Sequence, residues 1–388
     1  MQTGHVLGLS FALLGACGGR TGLGLDDELR GGRGGSGSGV TALGGAGLGT
    51  SATAGSEAGA AVTAHAGDGA MTTTVGTGGA AAVNAGVPGG AAGSPVGVEN
   101  SGWQIVSYNS AMGAPAPPAK TFSSVWADAA DRVWFIEEPL GDVMSRTLLS
   151  WQSGVVSTEP TGCSTAWTVR GGASNDLWLA GCTAGLLHKG TAWTSNTARH
   201  GNFVWENSPN DLWSCCETSA AGASYSAFHW DGSSWKALAL PSADYKGGAL
   251  WSAGPNDLWI ADRDVLHWDG AAWNTFSDPY VLGWRDVWGD GANVWAVGAN
   301  TTVARWDGSD FQRIPTQINA ELEGVWGRTN DVWFVGLSGA ILHWDGVTIT
   351  PVASPVIANL LAVWGAGDAL WIAGSQETLL RRKLGAAP

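Results

Sequence analysis

From residue 101 to the end of the chain, short apolar runs alternate with turns rich in Gly, Asn and Asp. The clearest unit reads VWG at 325–327, NDVW at 330–333 and ILHWDG at 341–346. Apolar runs this short, bounded by turn residues, predict β-strands rather than helices. Because Asn-Asp and Asp-Gly both favour tight turns, they are expected to join antiparallel neighbours. The pattern therefore predicts small antiparallel sheets of four strands.

Tryptophan marks every repeat. An anchor follows each acidic turn, at Trp134, Trp178, Trp213, Trp259, Trp295, Trp333 and Trp371. A second tryptophan precedes each anchor by about eight residues, at Trp126, Trp167, Trp205, Trp251, Trp288, Trp326 and Trp364. The anchors recur with a period of about 38 to 40 residues, which is typical of a four-stranded propeller blade. Seven anchors predict seven blades.

The two ends of the repeat region predict how the ring closes. The seventh unit stops at Leu384 after three strands, whereas GWQIV at 102–106 has the character of a fourth strand. If this segment completes the last blade, no sheet edge is left open. We therefore expect residues 99–388 to form an all-β, seven-bladed β-propeller closed by an N-terminal strand.

The repeat VWG…NDVW.VG…ILHWDG…W resembles the Trp-rich propeller repeats of secreted bacterial proteins, near the WD/YVTN/BNR-like group. It departs from the WD40 signature, because Trp-Asp opens a hairpin here. It also departs from the sialidase Asp-box, because Gly270 follows Asp269 one residue too early. The resemblance implies the architecture and leaves the function open, since one fold hosts many functions.

The first residues predict export. Val6–Ala16 is an apolar run too short to span a bilayer, as in a signal peptide covering residues 1–16. Leu14-Gly15-Ala16-Cys17 resembles a bacterial lipobox, so Cys17 is the expected lipidation site. The alternative is a cleaved secretory peptide in which Cys17 has no role. The lipid predicts a membrane partner and an outer-membrane location in the cell envelope, whereas the alternative predicts a secreted protein.

Residues 17–98 have a different composition from the rest. Residues 18–98 contain many Gly, Ala, Thr and Ser residues and no aromatic residue. Such a segment buries too little apolar surface to offset the entropy of ordering it. We expect a disordered tether between the lipid and the propeller.

The remaining cysteines suggest an oxidising compartment. Cys163 lies four residues before Trp167, and Cys182 lies four residues after Trp178, so a hairpin between them places the cysteines opposite each other. This predicts a Cys163–Cys182 disulfide. Cys215 and Cys216 are left to form a vicinal disulfide or to remain thiols.

The net charge and the repeat positions of the histidines limit the kinds of partner and ligand that we expect. The formal net charge is −14, without the basic footprint that a nucleic-acid partner requires. Four histidines recur once per repeat at the same strand position, which indicates packing: His188, His229, His267 and His343. We predict no cofactor and no metal site, and we expect a monomer.

Candidate binding residues lie where the repeat varies. In an up-and-down blade, the second-to-third loops and the crossings between blades share one face, and loops on a rigid scaffold are common binding elements. Aromatic rings with polar tips suit recognition of a glycan, a peptide or a protein. The candidates are Tyr108, Tyr225, Tyr245, Tyr280, Trp284 and Arg285. The alternative is that these rings cover the edge of the core.

The functional hypothesis is a non-enzymatic, lipid-anchored envelope propeller that binds a glycan, peptide or protein. An alternative is a propeller-type glycosidase or lyase, which requires two carboxylates about 5 to 10 Å apart. Its candidate acids are Glu138, Glu217, Glu321 and Glu323. A third possibility is an assembly scaffold without a small ligand.

Overall fold

The computed structural model describes residues 102–107, 120–129, 132–139, 141–142, 145–173, 176–196, 201–218 and 225–385. These residues form 28 strands in seven four-stranded antiparallel sheets. The predicted all-β, seven-bladed propeller is confirmed. The predicted signal peptide, Cys17 and the tether lie outside the described residues. Among the described residues, no helix has the length and apolar character needed to cross a membrane.

Each of the first six sheets takes its strands in chain order. Blade 1 contains β2 (Thr121–Ala129), β3 (Arg132–Glu138), β4 (Thr147–Gln152) and β5 (Val155–Thr158). Blade 2 contains β6 (Thr168–Ala173), β7 (Asp176–Ala180), β8 (Leu186–Lys189) and β9 (Trp193–Asn196). Blade 3 contains β10 (Phe203–Ser208), β11 (Asp211–Thr218), β12 (Tyr225–Trp230) and β13 (Trp235–Ala239).

The second half repeats this order. Blade 4 contains β14 (Leu250–Gly254), β15 (Asp257–Ala261), β16 (Val265–Trp268) and β17 (Trp273–Phe276). Blade 5 contains β18 (Trp284–Gly289), β19 (Val294–Gly298), β20 (Thr302–Trp306) and β21 (Phe311–Ile314). Blade 6 contains β22 (Leu322–Arg328), β23 (Asp331–Gly336), a 3-10 turn at Leu337–Gly339, β24 (Ile341–Trp344) and β25 (Ile349–Pro351).

Blade 7 joins both ends of the repeat region. Its strands are β26 (Leu360–Ala366), β27 (Ala369–Gly374), β28 (Thr378–Lys383) and β1 (Trp103–Ser107). β1 pairs antiparallel with β28, with Trp103 opposite Arg382 and Ile105 opposite Leu380. The predicted closure by an N-terminal strand is confirmed.

The first strand of each blade lies innermost. These strands contact one another in sequence around the ring, from β2 through β26 and back to β2. In six blades the register places the inner tryptophan directly opposite the anchor tryptophan, as for Trp326 and Trp333. Facing residues of an antiparallel pair project to the same side of the sheet, so the two rings share one inter-blade space.

Blade 2 departs from the pairing found in the other six blades. Arg170, not Trp167, lies opposite the anchor Trp178. Trp167 precedes β6, and the Arg146 guanidinium lies 3.4 Å from the centre of its ring. Eleven positions separate Trp167 from Trp178, against seven or eight in the other blades. Trp167 therefore does not belong with the second tryptophans of the other blades, as the sequence repeat predicted, and its longer spacing from the anchor was the signal that the sequence offered.

Tryptophan rings from opposite sides of the ring meet in the centre. Trp205 of blade 3 lies 5.9 Å from Trp364 of blade 7 and 6.5 Å from Trp251 of blade 4, between ring centroids. Trp288 and Trp326 are 6.4 Å apart. We call the six inner tryptophans and Arg170 the central plug. Since the rings are buried or half-buried, the plug closes the channel with apolar area.

The glycine that follows several inner tryptophans makes room for this plug. A Cβ atom on Gly289 would lie 2.6 Å from Cη2 of Trp251 in the preceding blade. Gly365 stands in the same relation to Trp326. The recurring Trp-Gly pair is thus a packing requirement, because the ring of one blade rests on the bare backbone of the next.

The recurring histidines are tied to the turn aspartates. The Nε2 atom of His267 lies 2.9 Å from Oδ1 of Asp257, and the imidazole stacks on Trp259 with ring centroids 3.8 Å apart. The same arrangement joins His188, His229 and His343 to Asp176, Asp211 and Asp331 and to the anchor tryptophans of their blades. The structural role predicted for these histidines is confirmed, and it extends to the aspartates.

Candidate functional site

The topology gives the propeller two unlike faces. The turns between first and second strands and between third and fourth strands form what we call the short-turn face. The second-to-third loops and the crossings between blades form the variable-loop face. The lengths of its described segments vary, from the short loop at 262–264 to the long crossing at 240–249. Binding residues predicted from sequence belong to the variable-loop face or to strand ends that approach it.

A funnel opens at the centre of the variable-loop face. Its lining residues come from six blades and include Ser124, Thr168, Phe203, Ala249, Asp286 and Ala362. Its floor includes Arg170, and its cavity is only about 50 Å³. A ligand of peptide or sugar size would therefore lie over the mouth of the funnel, because the central plug closes the space below.

Arg170 is the cationic member of the plug. Its Nη1 donates to the carbonyl oxygens of Val169 at 2.9 Å and Val125 at 3.3 Å. The guanidinium also lies 5.0 Å from the ring centre of Trp364, across the channel. These contacts hold a positive charge at the funnel floor in a surrounding of aromatic rings, which is a favourable cation–π arrangement.

Carboxylates in and around the funnel are held by neighbouring groups. Asp286 accepts hydrogen bonds from the backbone N–H groups of Val325 and Val287, both at 3.0 Å. Glu138 at the rim pairs with Arg146 at 3.0 Å. The funnel thus combines one cation with carboxylates already engaged by protein donors, and sequence reasoning identified neither Arg170 nor Asp286.

Tyr280 is the predicted residue that the structure exposes most clearly. Its side chain is 72 % exposed on the crossing between blades 4 and 5, beside Leu282, which is 81 % exposed. The Arg313 guanidinium lies 5.3 Å from the Tyr280 ring centre and pairs with Asp278. Burial raises and the Arg313 hydrogen bond lowers the pKa of Asp278, with a net lowering, so this carboxylate stays charged at neutral pH. Ile357, 66 % exposed on the crossing between blades 6 and 7, adds a further apolar side chain.

Tyr245 and Trp284 are buried, so their rings offer no open stacking surface. The Tyr245 hydroxyl donates to Oδ2 of Asp264 at 2.6 Å, and burial together with this bond raises its pKa. The sequence placed Trp284 in the crossing between blades 4 and 5. In the structure it is instead the first residue of β18. It lies opposite Gly298, as Leu322 and Leu360 lie opposite Gly336 and Gly374 in the next two blades. The position is an apolar core position, which explains the burial.

The remaining candidates are ion-paired, half-buried or outside the described residues. Arg285 lies on β18 and pairs with Glu321 and Glu323 of the next blade, each at 3.6 Å. Tyr225 is the half-buried first residue of β12. Tyr108 lies outside the described residues. Among the predicted residues that the structure describes, Tyr280 is the one with a strongly exposed side chain on the variable-loop face.

Both cysteine pairs are joined. The predicted Cys163–Cys182 disulfide is present, with the Cα atoms 5.5 Å apart. Cys215 and Cys216 form a vicinal disulfide across a cis peptide bond. Both sulfurs are buried in the cluster that contains Tyr245, beneath Gly247, whose φ is +82°. Any side chain at 247 would collide with Cys216, so the crossing rests directly on the disulfide.

Three of the four carboxylates considered for catalysis form ion pairs with arginine side chains. Glu138 pairs with Arg146, and Glu321 and Glu323 share Arg285. The side chain of Glu217 lies outside the described residues. Among the described residues, no group of three or more His, Cys, Asp or Glu side chains is arranged to hold a metal ion.

A different carboxylate, Glu206, has a strongly raised pKa. Glu206 follows the inner Trp205 and reaches the Asp176 carboxyl of blade 2, next to His188. Burial, and secondly the charge of Asp176, raise the pKa of Glu206 to about 7. Glu206 therefore binds a proton near neutrality, because a nearby negative charge disfavours its ionised form. The repeat pattern gave no signal for it beyond a Glu at a position where the other six blades have Gly, Ala or Ser.

Comparisons with known proteins agree with this architecture. No protein-family profile and no curated protein sequence matches the chain. A structure titled YCF48 bound to D1 peptide is similar, with a TM-score of 0.55 and 16% identity, covering 75% of this chain and 100% of that one. Virginiamycin B lyase from Staphylococcus aureus is similar with a TM-score of 0.57 and 13% identity, covering 73% and 99%. The WD40 β-propeller domain of Doa1 has a TM-score of 0.53 and 12% identity, covering 72% and 96%. At these identities the likeness shows the fold alone.

Proposed function

We propose that this protein is a non-enzymatic, lipid-anchored propeller that binds a peptide or protein segment across its variable-loop face. The observation that carries the proposal is the exposure of Tyr280, Leu282 and Ile357 on crossings of that face. A contiguous exposed apolar patch marks an interaction site, and Tyr280 and Leu282 lie two residues apart on one crossing. A peptide also suits a funnel too shallow to enclose a ligand.

Charge on this face supports a peptide over a purely apolar ligand. The Arg313 guanidinium lies over one face of the Tyr280 ring, and Arg170 supplies a cation at the funnel floor. A preorganised aromatic side chain loses little rotamer entropy on binding, which favours its use as an anchor. The similarity to a propeller whose title names a bound peptide is consistent with this mode of recognition. Membrane attachment through Cys17 is the second half of the proposal and rests on the N-terminal sequence alone.

Site-specific photocrosslinking tests the binding face. A benzophenone amino acid replaces Leu282 in one variant and Val347 in another, because the two are matched in exposure at 81 % and 77 % but Val347 lies on the short-turn face. In cells of the native source, we expect discrete peptide or protein adducts at Leu282 and none at Val347. Tyr280→Ala together with Ile357→Asp should reduce the Leu282 adducts. Equal adducts at both positions, or none at Leu282, would refute the assignment of this face.

Anchoring is tested separately. A Cys17→Ala variant should move from the membrane fraction to the soluble fraction and lose incorporation of a labelled fatty acid. Retention in the membrane with continued acylation contradicts the lipid anchor but leaves the binding face untouched.

A further inference from the structure

The Cys215–Cys216 disulfide is buried where blade 3 meets the crossing to blade 4. Both cysteines are no more than 3% exposed. They pack in one apolar cluster with Leu240 and Tyr245, which belong to the crossing at 240–249. The crossing therefore covers this disulfide on the variable-loop face.

Gly247 is the point at which the crossing touches the sulfurs. A Cβ atom at this position would overlap Sγ of Cys216 and would lie 3.0 Å from Sγ of Cys215. Bare backbone is thus all that fits between the crossing and the sulfur pair. Two sulfur atoms that are not bonded to each other require van der Waals separation. Opening of the disulfide therefore demands more room than the Gly247 contact leaves.

The crossing is the side of this contact that can yield. β11, which carries both cysteines, is paired with β10 on one side and with β12 on the other. Side-chain hydrogen bonds attach the crossing to the short loop between the second and third strands of blade 4. The N–H groups of Lys246 and Gly247 donate to Oδ2 of Asp262 at 2.9 and 2.6 Å, and the Tyr245 hydroxyl donates to Asp264 at 2.6 Å. A segment outside the sheets that is held by a few hydrogen bonds opens at a lower free energy than paired strands do.

The same contact joins two walls of the funnel. Cys215 lies directly opposite Phe203 in the β10–β11 pair, and Phe203 lines the funnel from blade 3. Ala249, two residues after Gly247, lines the funnel from blade 4. A displacement of the crossing at Gly247 is therefore passed along the chain to the funnel wall at Ala249.

We propose that the Cys215–Cys216 disulfide is a redox-controlled latch for the 240–249 crossing. With the disulfide formed, the crossing rests on the sulfurs and completes the funnel wall of blade 4. Reduction to two thiols lifts the crossing and opens this wall. The effect of the latch on binding rests on the function proposed above, whereas the movement of the crossing does not.

The reductant of the latch is a dithiol. One thiolate of the dithiol attacks a sulfur of the pair, which forms a mixed disulfide and releases the other cysteine. The second thiol then attacks the mixed disulfide, frees the remaining cysteine and leaves the reductant as a disulfide. Two electrons pass to the protein sulfurs, and the two protons of the dithiol complete two cysteine thiols. Because both sulfurs are buried, the attack requires a lifted crossing, so reduction and lifting favour each other.

Limited trypsin digestion of the full chain reports the position of the crossing. Lys246 is exposed, and the peptide bond that trypsin cleaves after it leads directly into Gly247. Lys236 is 65% exposed but belongs to β13, so cleavage after it monitors unfolding of blade 3. The protein is treated with dithiothreitol, the reagent is removed under nitrogen, and trypsin is then added. Alkylation of a denatured aliquot, followed by peptide mass measurement, shows when Cys215 and Cys216 are both thiols.

A double variant, Cys215→Ala with Cys216→Ala, is the control for the reductant. Among the described residues, the disulfide that remains in this variant is Cys163–Cys182. A response that comes from the vicinal pair is therefore lost in the variant, whereas a response that comes from the other disulfide is kept.

We expect reduction of the wild type to accelerate cleavage after Lys246 by about tenfold or more, because proteolysis follows the population of the open segment. Cleavage after Lys236 should stay unchanged, and dithiothreitol should not alter the Lys246 rate in the double variant. Complete reduction without faster cleavage after Lys246 would overturn the latch. An equal acceleration at Lys236, an equal response of the double variant, or a vicinal pair that dithiothreitol leaves oxidised in the folded protein would do the same. The crosslinks at Leu282 test the binding face separately and do not enter these comparisons.

Discussion

Arg170 of blade 2 and Trp364 of blade 7 meet inside the central plug, with the guanidinium 5.0 Å from the ring centre. Arg170 occupies the inner position of blade 2, and the other six blades have a tryptophan at that position. The substitution puts a single charge among aromatic rings, where it is held by ring faces and by two backbone carbonyls. The plug is therefore both the structural centre of the ring and the floor of the funnel.

Arg170→Ala should destabilise the propeller by about 1 to 3 kcal/mol, because it removes a half-buried cation–π contact and two hydrogen bonds to backbone carbonyls. Urea unfolding monitored by tryptophan fluorescence measures the change. Lys236→Ala, at a side chain that is 65% exposed, should change the unfolding free energy by less than about 0.5 kcal/mol. Equal effects of the two substitutions would show that the plug does not depend on Arg170.

Gly289→Ala tests the close approach of neighbouring blades. The new Cβ would lie 2.6 Å from Cη2 of Trp251, so the ring must shift at a cost of about 1 to 3 kcal/mol. Gly190→Ala is the matched control, because no atom lies within 4 Å of a Cβ there. Thermal unfolding of both variants gives the comparison. A Gly289→Ala midpoint as high as that of Gly190→Ala would contradict the packing of Trp251 on the blade 5 backbone.

Trp103→Ala tests closure of the ring. Trp103 is 1% exposed and contacts Trp333 edge-on, 6.0 Å between centroids. Its removal should lower the unfolding free energy by about 3 to 5 kcal/mol, in the range of large-to-small core substitutions. Tyr280→Ala should have little effect on stability, because that ring is exposed, while reducing binding on the variable-loop face. A stable Trp103→Ala variant would show that β1 contributes little to the seventh blade.

Glu206→Gln tests the carboxyl pair at the boundary of blades 2 and 3. Burial and Asp176 raise the folded-state pKa of Glu206 to about 7, whereas an unfolded Glu titrates near about 4.3. Between these values the folded state binds more protons than the unfolded state, so stability falls as pH rises through this window. With a discount for partial exposure, the variant should gain about 1 to 3 kcal/mol over the wild type between pH 4.5 and pH 8.

The measurement is urea unfolding of both proteins across that pH range, with Glu377→Gln on the variable-loop face as the control. The gain should be confined to Glu206→Gln. A constant difference between variant and wild type at every pH would mean that Glu206 titrates at the same pH in the folded and unfolded states.

Particular residues show how far sequence reasoning reached into the site. Tyr280 was identified because it breaks the repeat on a crossing, and its exposure agrees with that reasoning. Tyr245 and Trp284 break the repeat in the same way, yet both are buried. A break in a pattern marks a change of residue type but does not say whether the chain turns that residue inward.

The sequence by itself determined the number of blades, the order of strands, the closing strand and the Cys163–Cys182 pair. These features follow from local periodicity, turn chemistry and the spacing of tryptophans, which a linear chain displays directly. The tertiary structure alone decided that Arg170 rather than Trp167 joins the plug, that the histidines bond to turn aspartates, and which rings face solvent. Those outcomes depend on distances between blades, because a side chain is buried or exposed by neighbours that lie far from it along the chain.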